Sequence, residues 1–216
     1  MGWGDAPPAV DWEEDVAEVD AVLRERNIHF DAIYSSALER ARQTALYYAT
    51  KRGLVRVRSS ESLNEINYGS LFQKTKQWVA EHLPEYKTDP DFVYPGGESF
   101  RQMQTRSLSY LLSLEPVHRH QSILLVTHAG VIRGLVSHFL GLDFGVNLKR
   151  RIPHGYIGDL QISADTSVSY DEWGKPSGFV KDGVIRTPYV ADVESGVCPT
   201  VPALLAKSSS SPDGRV

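Results

Sequence analysis

The segment that decides the fold is SILLVTHAGVIRG, residues 122–134. Residues 123–127 form a continuous, branched, apolar run, the pattern of a strand buried on both faces. The pattern then changes at once to helical spacing over residues 129–140, and Gly141 suits the helix's C-terminal end. His128 stands alone between strand and helix. The same grammar recurs upstream in DAIYSSALERARQTA, residues 31–45. There a strand over 30–34 leads to Ser35 and Ser36, and Ser36-Ala37-Leu38-Glu39 reads as a capping box opening a helix to about residue 51. Strands alternating with helices predict an α/β fold with a largely parallel sheet.

Working outward, Asp11-Trp12-Glu13-Glu14 reads as another capping box. Trp12, Val16, Val19 and Leu23 follow at helical spacing, predicting an amphipathic helix to about residue 26. Further short strands are predicted at 54–57, 156–163 and 167–170, and a helix at 73–82. Residues 85–95 contain Pro90 and Pro95 and read as a loop or lid. Phe100, Met103, Ser107, Leu111 and Leu114 trace the inner face of one more helix. These readings predict one domain over 1–164, a C-terminal extension over 165–206 partly packed on it, and a disordered tail over 207–216.

Composition narrows the function. Hydrophobic residues are 41 % and charged residues 23 % of the 216, as in soluble globular chains. The net charge of -4 offers no basic excess for a nucleic-acid partner. No apolar run approaches the ~18 residues of a membrane span, and the N-terminus has no signal-peptide pattern. The lone Cys198 permits no intrachain disulfide. The expectation is a cytoplasmic protein with no membrane contact.

The chemistry is expected beyond the carboxyl ends of the strands, where open α/β sheets bind ligands. Helix N-termini there present unpaired N–H groups and a positive dipole end to an anion. The N–H groups near Ala129 and Gly130 are such donors, and both residues are small enough for a ligand to approach the backbone. Arg40 adds a planar fork suited to phosphate. Glu65, in LNEINYG (residues 63–69), is a candidate general acid to a leaving alcohol. His128 and Arg40 together suggest an oxyanion site, most simply for phosphate. The other histidines read as structural or solvated, including His118 and His120, which have no further zinc ligand at the usual spacing. No P-loop, dinucleotide, zincin or nucleophile-elbow motif is found.

These segments in order resemble the histidine phosphatase superfamily, also called the phosphoglycerate mutase-like family. The likeness runs through GWGDAPP (residues 2–8), SSALERARQTA, LNEINYG, PGGESF (residues 95–100) and VTHAGVIRGL. The resemblance implies a three-layer sandwich around the parallel sheet. It implies that Arg40 is a phosphate-pocket arginine, Glu65 the proton donor to the leaving group, and His128 the histidine stabilising the transferring phosphoryl group. Gly2, Tyr68, Ala129 and Gly130 are the substrate-binding positions it implies. The substrate is then a small phosphomonoester, with no metal and no cofactor.

The family's nucleophile is the histidine of an Arg-His-Gly motif on its first strand, shortly before the GWGD-like loop. These 216 residues hold no such triplet: Arg119-His120 is followed by Gln121. The expectation is a fold missing its first strand. A truncated record of an active phosphatase, a short natural isoform and a pseudophosphatase that binds ligands or partners all fit. The first is favoured because Arg40, Glu65 and His128 are all present. Phosphatase is preferred to mutase, because His128-Ala129-Gly130 departs from the mutases' His-Gly-Asn, although LNEINYG followed by Lys76 is similar to the mutase pattern.

Overall fold

Trp12, Val16, Val19 and Leu23 do line one face of a helix, α1 (Trp12–Glu25), and the last three are buried. The computed structural model describes residues 2–4, 6–162 and 167–174. α1 is followed by β1 (Ala32–Ser36), α2 (Glu39–Arg52), β2 (Val57–Ser60), α3 (Lys76–His82) and α4 (Phe100–Leu114). Then come β3 (Ile123–Val126), α5 (Ala129–Phe139), α6 (Phe144–Asn147), β4 (Tyr156–Ile162) and β5 (Val168–Gly174).

The strands β2-β1-β3 form a parallel sheet with β1 in the centre. Alternate side chains sort to its two faces. Ile33, Val57, Leu124 and Val126 pack with α1 and α2, through Val16, Val19, Leu23, Ala45 and Tyr48. Tyr34, Ile123 and Leu125 turn the other way, toward Leu63 and Leu114. A second apolar cluster joins α4 to α5 through Met103, Leu108, Val131, Leu135 and Phe139. The α/β sandwich around a parallel sheet is therefore as expected.

Several local expectations change. The strands β1 and β2 lie two to three residues further along than predicted, at 32–36 and 57–60. Serines disguise them. Ser35 and Ser36 are fully buried because Ser35 Oγ meets Ser59 Oγ at 2.9 Å and Ser36 Oγ donates to Asn64 Oδ1 at 2.8 Å. Neither predicted capping box closes: Asp11 and Leu38 are the N-caps of α1 and α2, and neither side chain caps. The capping box that does form is Ser99 with Gln102, at the start of α4. Finally, β3 is only half-buried along its length, whereas β1 is the buried strand. β1 is flanked on both edges, while among the described residues β3 pairs only with β1.

β4 and β5 form a separate antiparallel hairpin, paired from Tyr156↔Gly174 to Ile162↔Val168. Leu160 and Val168 pack against the α4–α5 cluster. The boundary expected at 164–165 falls in the connection between these two strands. The rest of the expected extension and the tail lie outside the described residues. No helix among the described residues is long and apolar enough to cross a membrane.

Candidate active site

The carboxyl ends of β1 and β3 bring together residues far apart in sequence. His128 is the N-cap of α5, in extended backbone. Its Nε2 lies 2.8 Å from Ser36 Oγ, at the end of β1. Ser36 spends its single hydrogen on Asn64 Oδ1, which also accepts the Ala37 N–H at 2.9 Å. His128 must therefore donate from Nε2, which leaves Nδ1 as the acceptor in the neutral ring. Burial holds the His128 pKa down to about 3, helped by the positive charges of Arg40 and Arg106. The free pocket thus keeps a neutral imidazole beside two guanidinium groups.

Arg40 lies in the first turn of α2. Its Nη1 donates to the Gly4 carbonyl at 2.8 Å and its Nη2 to the Gly2 carbonyl at 2.9 Å. Gly2 is buried with φ of +46°, and a Cβ there would meet Tyr68 at 2.7 Å and the Ile66 carbonyl at 2.8 Å. The glycine thus lets the N-terminal loop lie flat on the 66–68 segment and carry its carbonyls to Arg40. Trp3 adds a second tie, its Nε1–H donating to the Glu65 carbonyl at 2.6 Å.

Glu65 joins His128 through the backbone of α5. Its Oε2 accepts the Gly130 N–H at 3.2 Å and its Oε1 accepts the Ile66 N–H at 2.9 Å. The Gly130 N–H, expected to face a bound anion, already serves the Glu65 carboxyl group. A Cβ at Gly130 would stand 2.2 Å from Glu65 Oε1, so only glycine admits the carboxylate this close. Ala129, the first residue of α5, lies between His128 and Gly130. Tyr68 packs edge-on against Tyr94, with ring centroids 4.9 Å apart. Burial raises the Tyr68 pKa, and the nearby Glu65 raises it further.

The described chain matches the model of the histidine phosphatase superfamily, branch 1, over residues 13–169. The chain belongs to this superfamily. It is 30 % identical over 151 residues to the 2,3-bisphosphoglycerate-dependent phosphoglycerate mutase of Bartonella tribocorum, covering 66 % of this chain and 73 % of that one. It resembles the solved structure of YhfR from Bacillus stearothermophilus, with a TM-score of 0.67 at 25 % identity, over 76 % of this chain and 83 % of that one. A mycobacterial glucosyl-3-phosphoglycerate phosphatase, solved with inorganic phosphate, shares the fold at a TM-score of 0.68 and 22 % identity, over 80 % of this chain and 88 % of that one.

In this histidine phosphatase domain several residues escaped the sequence reading. Arg106 is the main one. Its guanidinium donates to both carboxylate oxygens of Glu98, at 2.7 and 2.9 Å, and to the carbonyls of Ser62, Asn64 and Glu65, at 2.8 to 3.0 Å. One side chain on α4 thereby fixes the loop that carries Glu65. Glu98 also accepts the Asn67 N–H at 2.9 Å. The Glu98–Arg106 separation matches no local helical pairing, so no pattern announced it. Ser36 and Asn64 hide for the same reason, since their partners come from other segments. His118 is structural: its Nε2 meets Tyr34 Oη and its Nδ1 meets Gln121 Oε1, both at 2.6 Å.

Proposed function

We propose that this chain carries the phosphate site and leaving-group acid of a metal-independent phosphatase acting on small phosphomonoesters in the cytoplasm. The observation that supports it most is the Glu65–Gly130 contact, two residues from His128, which is itself within electrostatic reach of Arg40 and Arg106. It brings the Glu65 carboxyl group to the helix start that follows His128. Arg40 and His128 face the phosphoryl oxygens, and Glu65 faces the departing alcohol oxygen. The names of the related proteins, a phosphoglycerate mutase and a glucosyl-3-phosphoglycerate phosphatase, support a phosphorylated small molecule as ligand. Ala129 following His128 favours phosphatase over mutase.

In the family's reaction the phosphoryl group passes to the histidine of Arg-His-Gly and then to water. Transfer needs that histidine, whereas binding does not. A second reading, a protein that binds phosphomonoesters without turnover, needs only the pocket residues Arg40 and His128. One experiment separates the two. The 216-residue chain is titrated with inorganic phosphate in EDTA, and aryl phosphate hydrolysis is assayed in a form extended at its N-terminus by a strand bearing Arg-His-Gly. Binding that His128→Ala weakens supports the pocket, and hydrolysis lost in Glu65→Gln supports the phosphatase reading. Binding without hydrolysis supports the second reading. Absence of binding overturns both.

A further inference from the structure

At the end of the sheet opposite His128, the amino ends of β1 and β2 border an open cavity of about 300 Å³. Its lining includes Asp31, Leu54, Arg56, Arg58 and His118, none of which the phosphate site uses. Arg56 immediately precedes β2, and Arg58 is the second residue of that strand. Val57 between them is extended, so their Cα atoms stand roughly 7 Å apart. Arg58 is exposed, yet its guanidinium is held in place. Its Nη1 donates to Tyr34 Oη at 2.6 Å, and the guanidinium carbon lies 5.5 Å from the centre of the Tyr34 ring.

Tyr34 is buried, and a chain of hydrogen bonds orients it. Gln121 Oε1 can only accept, so His118 Nδ1 donates to it, at 2.6 Å. Nε2 of the neutral ring then accepts from the Tyr34 hydroxyl, also at 2.6 Å. The Tyr34 oxygen is left to accept from Arg58, whose Nη2 and Nε have no hydrogen-bond acceptor among the described residues. Arg24 and Arg52, nearby in the chain, both hold Asp20, at 2.8 and 2.9 Å. Among the described residues neither Arg56 nor Arg58 has a carboxylate within 4 Å. Asp31, the acid of the lining, is engaged elsewhere: its Oδ2 accepts the Ser122 N–H at 2.8 Å.

We propose that this cavity is a second ligand site, separate from the phosphate pocket, which binds a small dicarboxylate between Arg56 and Arg58. Two like charges this close, with no counter-ion, raise the local potential, and a dianion between them neutralises both. Each planar guanidinium fork matches the two oxygens of one carboxylate. Leu54 and Ala32 in the lining give a short carbon chain an apolar surface. Asp31 repels more highly charged ligands, such as a bisphosphate. The volume lies at the lower end of small-molecule sites, which suits a ligand of this size.

The test is calorimetric titration of the full 216-residue chain with succinate and with butanoate, which has the same carbon chain and one carboxylate fewer. The wild type is expected to prefer succinate by about tenfold, the scale of one charge-assisted contact. Arg56→Gln and Arg58→Gln are each expected to bring succinate down to the affinity of butanoate. Arg58→Lys is expected to keep part of the preference, and it serves as the informative variant at that position if the glutamine form is unfolded. Arg40→Ala, which disables the phosphate pocket, is expected to bind succinate as the wild type does, and so is Arg42→Gln, an exposed cation of α2. Absence of a preference in the wild type overturns the inference, as does a preference that survives Arg56→Gln or Arg58→Gln. A loss in Arg40→Ala overturns it by placing succinate in the phosphate pocket, and an equal loss in Arg42→Gln overturns it by showing only a general attraction to positive charge. The phosphate-site reading stands or falls separately, on inorganic phosphate and His128→Ala.

Discussion

Single side chains carry much of this site, and Gly130 is the sharpest case. Glycine inside a helix ordinarily costs roughly 1 kcal/mol against alanine. Here a methyl group would stand 2.2 Å from Glu65 Oε1. Gly130→Ala is therefore expected to destabilise the protein, and the same change made on Glu65→Ala is expected to stabilise it. Urea unfolding of the four-member cycle measures both signs, and equal effects in the two backgrounds would show that the carboxylate is not the obstacle. His128 makes a second prediction. Its folded pKa is about 3, below the ordinary 6.5. Between those values the unfolded chain binds a proton that the folded chain refuses, so stability falls as pH falls from about 6.5 toward 3. His128→Gln should flatten that part of the stability curve. At pH 6 the imidazole should remain neutral with its hydrogen on Nε2, which nitrogen-15 spectra of the ring report directly. A hydrogen on Nδ1 alone would contradict the tautomer argument, and a protonated ring at that pH would contradict the effect of burial.

At the scale of elements, the site depends on how loops are pinned to helices. The loop between the short 3-10 turn Glu61–Leu63 and Tyr68 has no ladder of its own. α4 holds it through Arg106, and Thr127 at the end of β3 holds it by donating to the Leu63 carbonyl at 2.7 Å. Arg106→Leu removes the donor to several carbonyls and leaves Glu98 without its partner. Breaking such a half-buried pair is expected to cost about 3 kcal/mol, and denaturant midpoints measure it. Glu98→Gln, which keeps the shape and some acceptors, should cost less. An equal loss would mean that charge, not shape, holds the loop. The elements themselves were largely legible. α1, α4, β3 and α5 match their sequence patterns to within a residue or two, because side-chain periodicity is a local property. β1 and β2 lie further along than the pattern suggests because both end in serines, buried in β1 and partly exposed in β2, which read as loop until their hydrogen-bond partners are known.

For the whole molecule, the sheet brings the residues at the ends of β1 and β3 into contact, so a ligand bound there should stabilise the entire fold. At a hundredfold excess over Kd, inorganic phosphate is expected to add about 2.7 kcal/mol. For a chain of this size that raises Tm by roughly 5–10 °C. The Arg40→Ala protein should show almost no such rise, and a full rise in that variant would remove Arg40 from the phosphate site. The sequence by itself determined the α/β class and the parallel sheet, and it offered Arg40, Glu65 and His128 as candidates. Each of these is announced locally, by a hydrophobic run, a helix start, or a polar residue at a strand end. Tertiary structure alone decided that His128 donates to Ser36, 92 positions away, and that Glu65 takes the Gly130 N–H, 65 positions away. It also decided that Arg106 fixes the Glu65 loop and that β1, not β3, is the buried strand. The reason is physical: hydrogen-bond partners and strand neighbours are set by chain crossings between distant segments, and no local spacing encodes them.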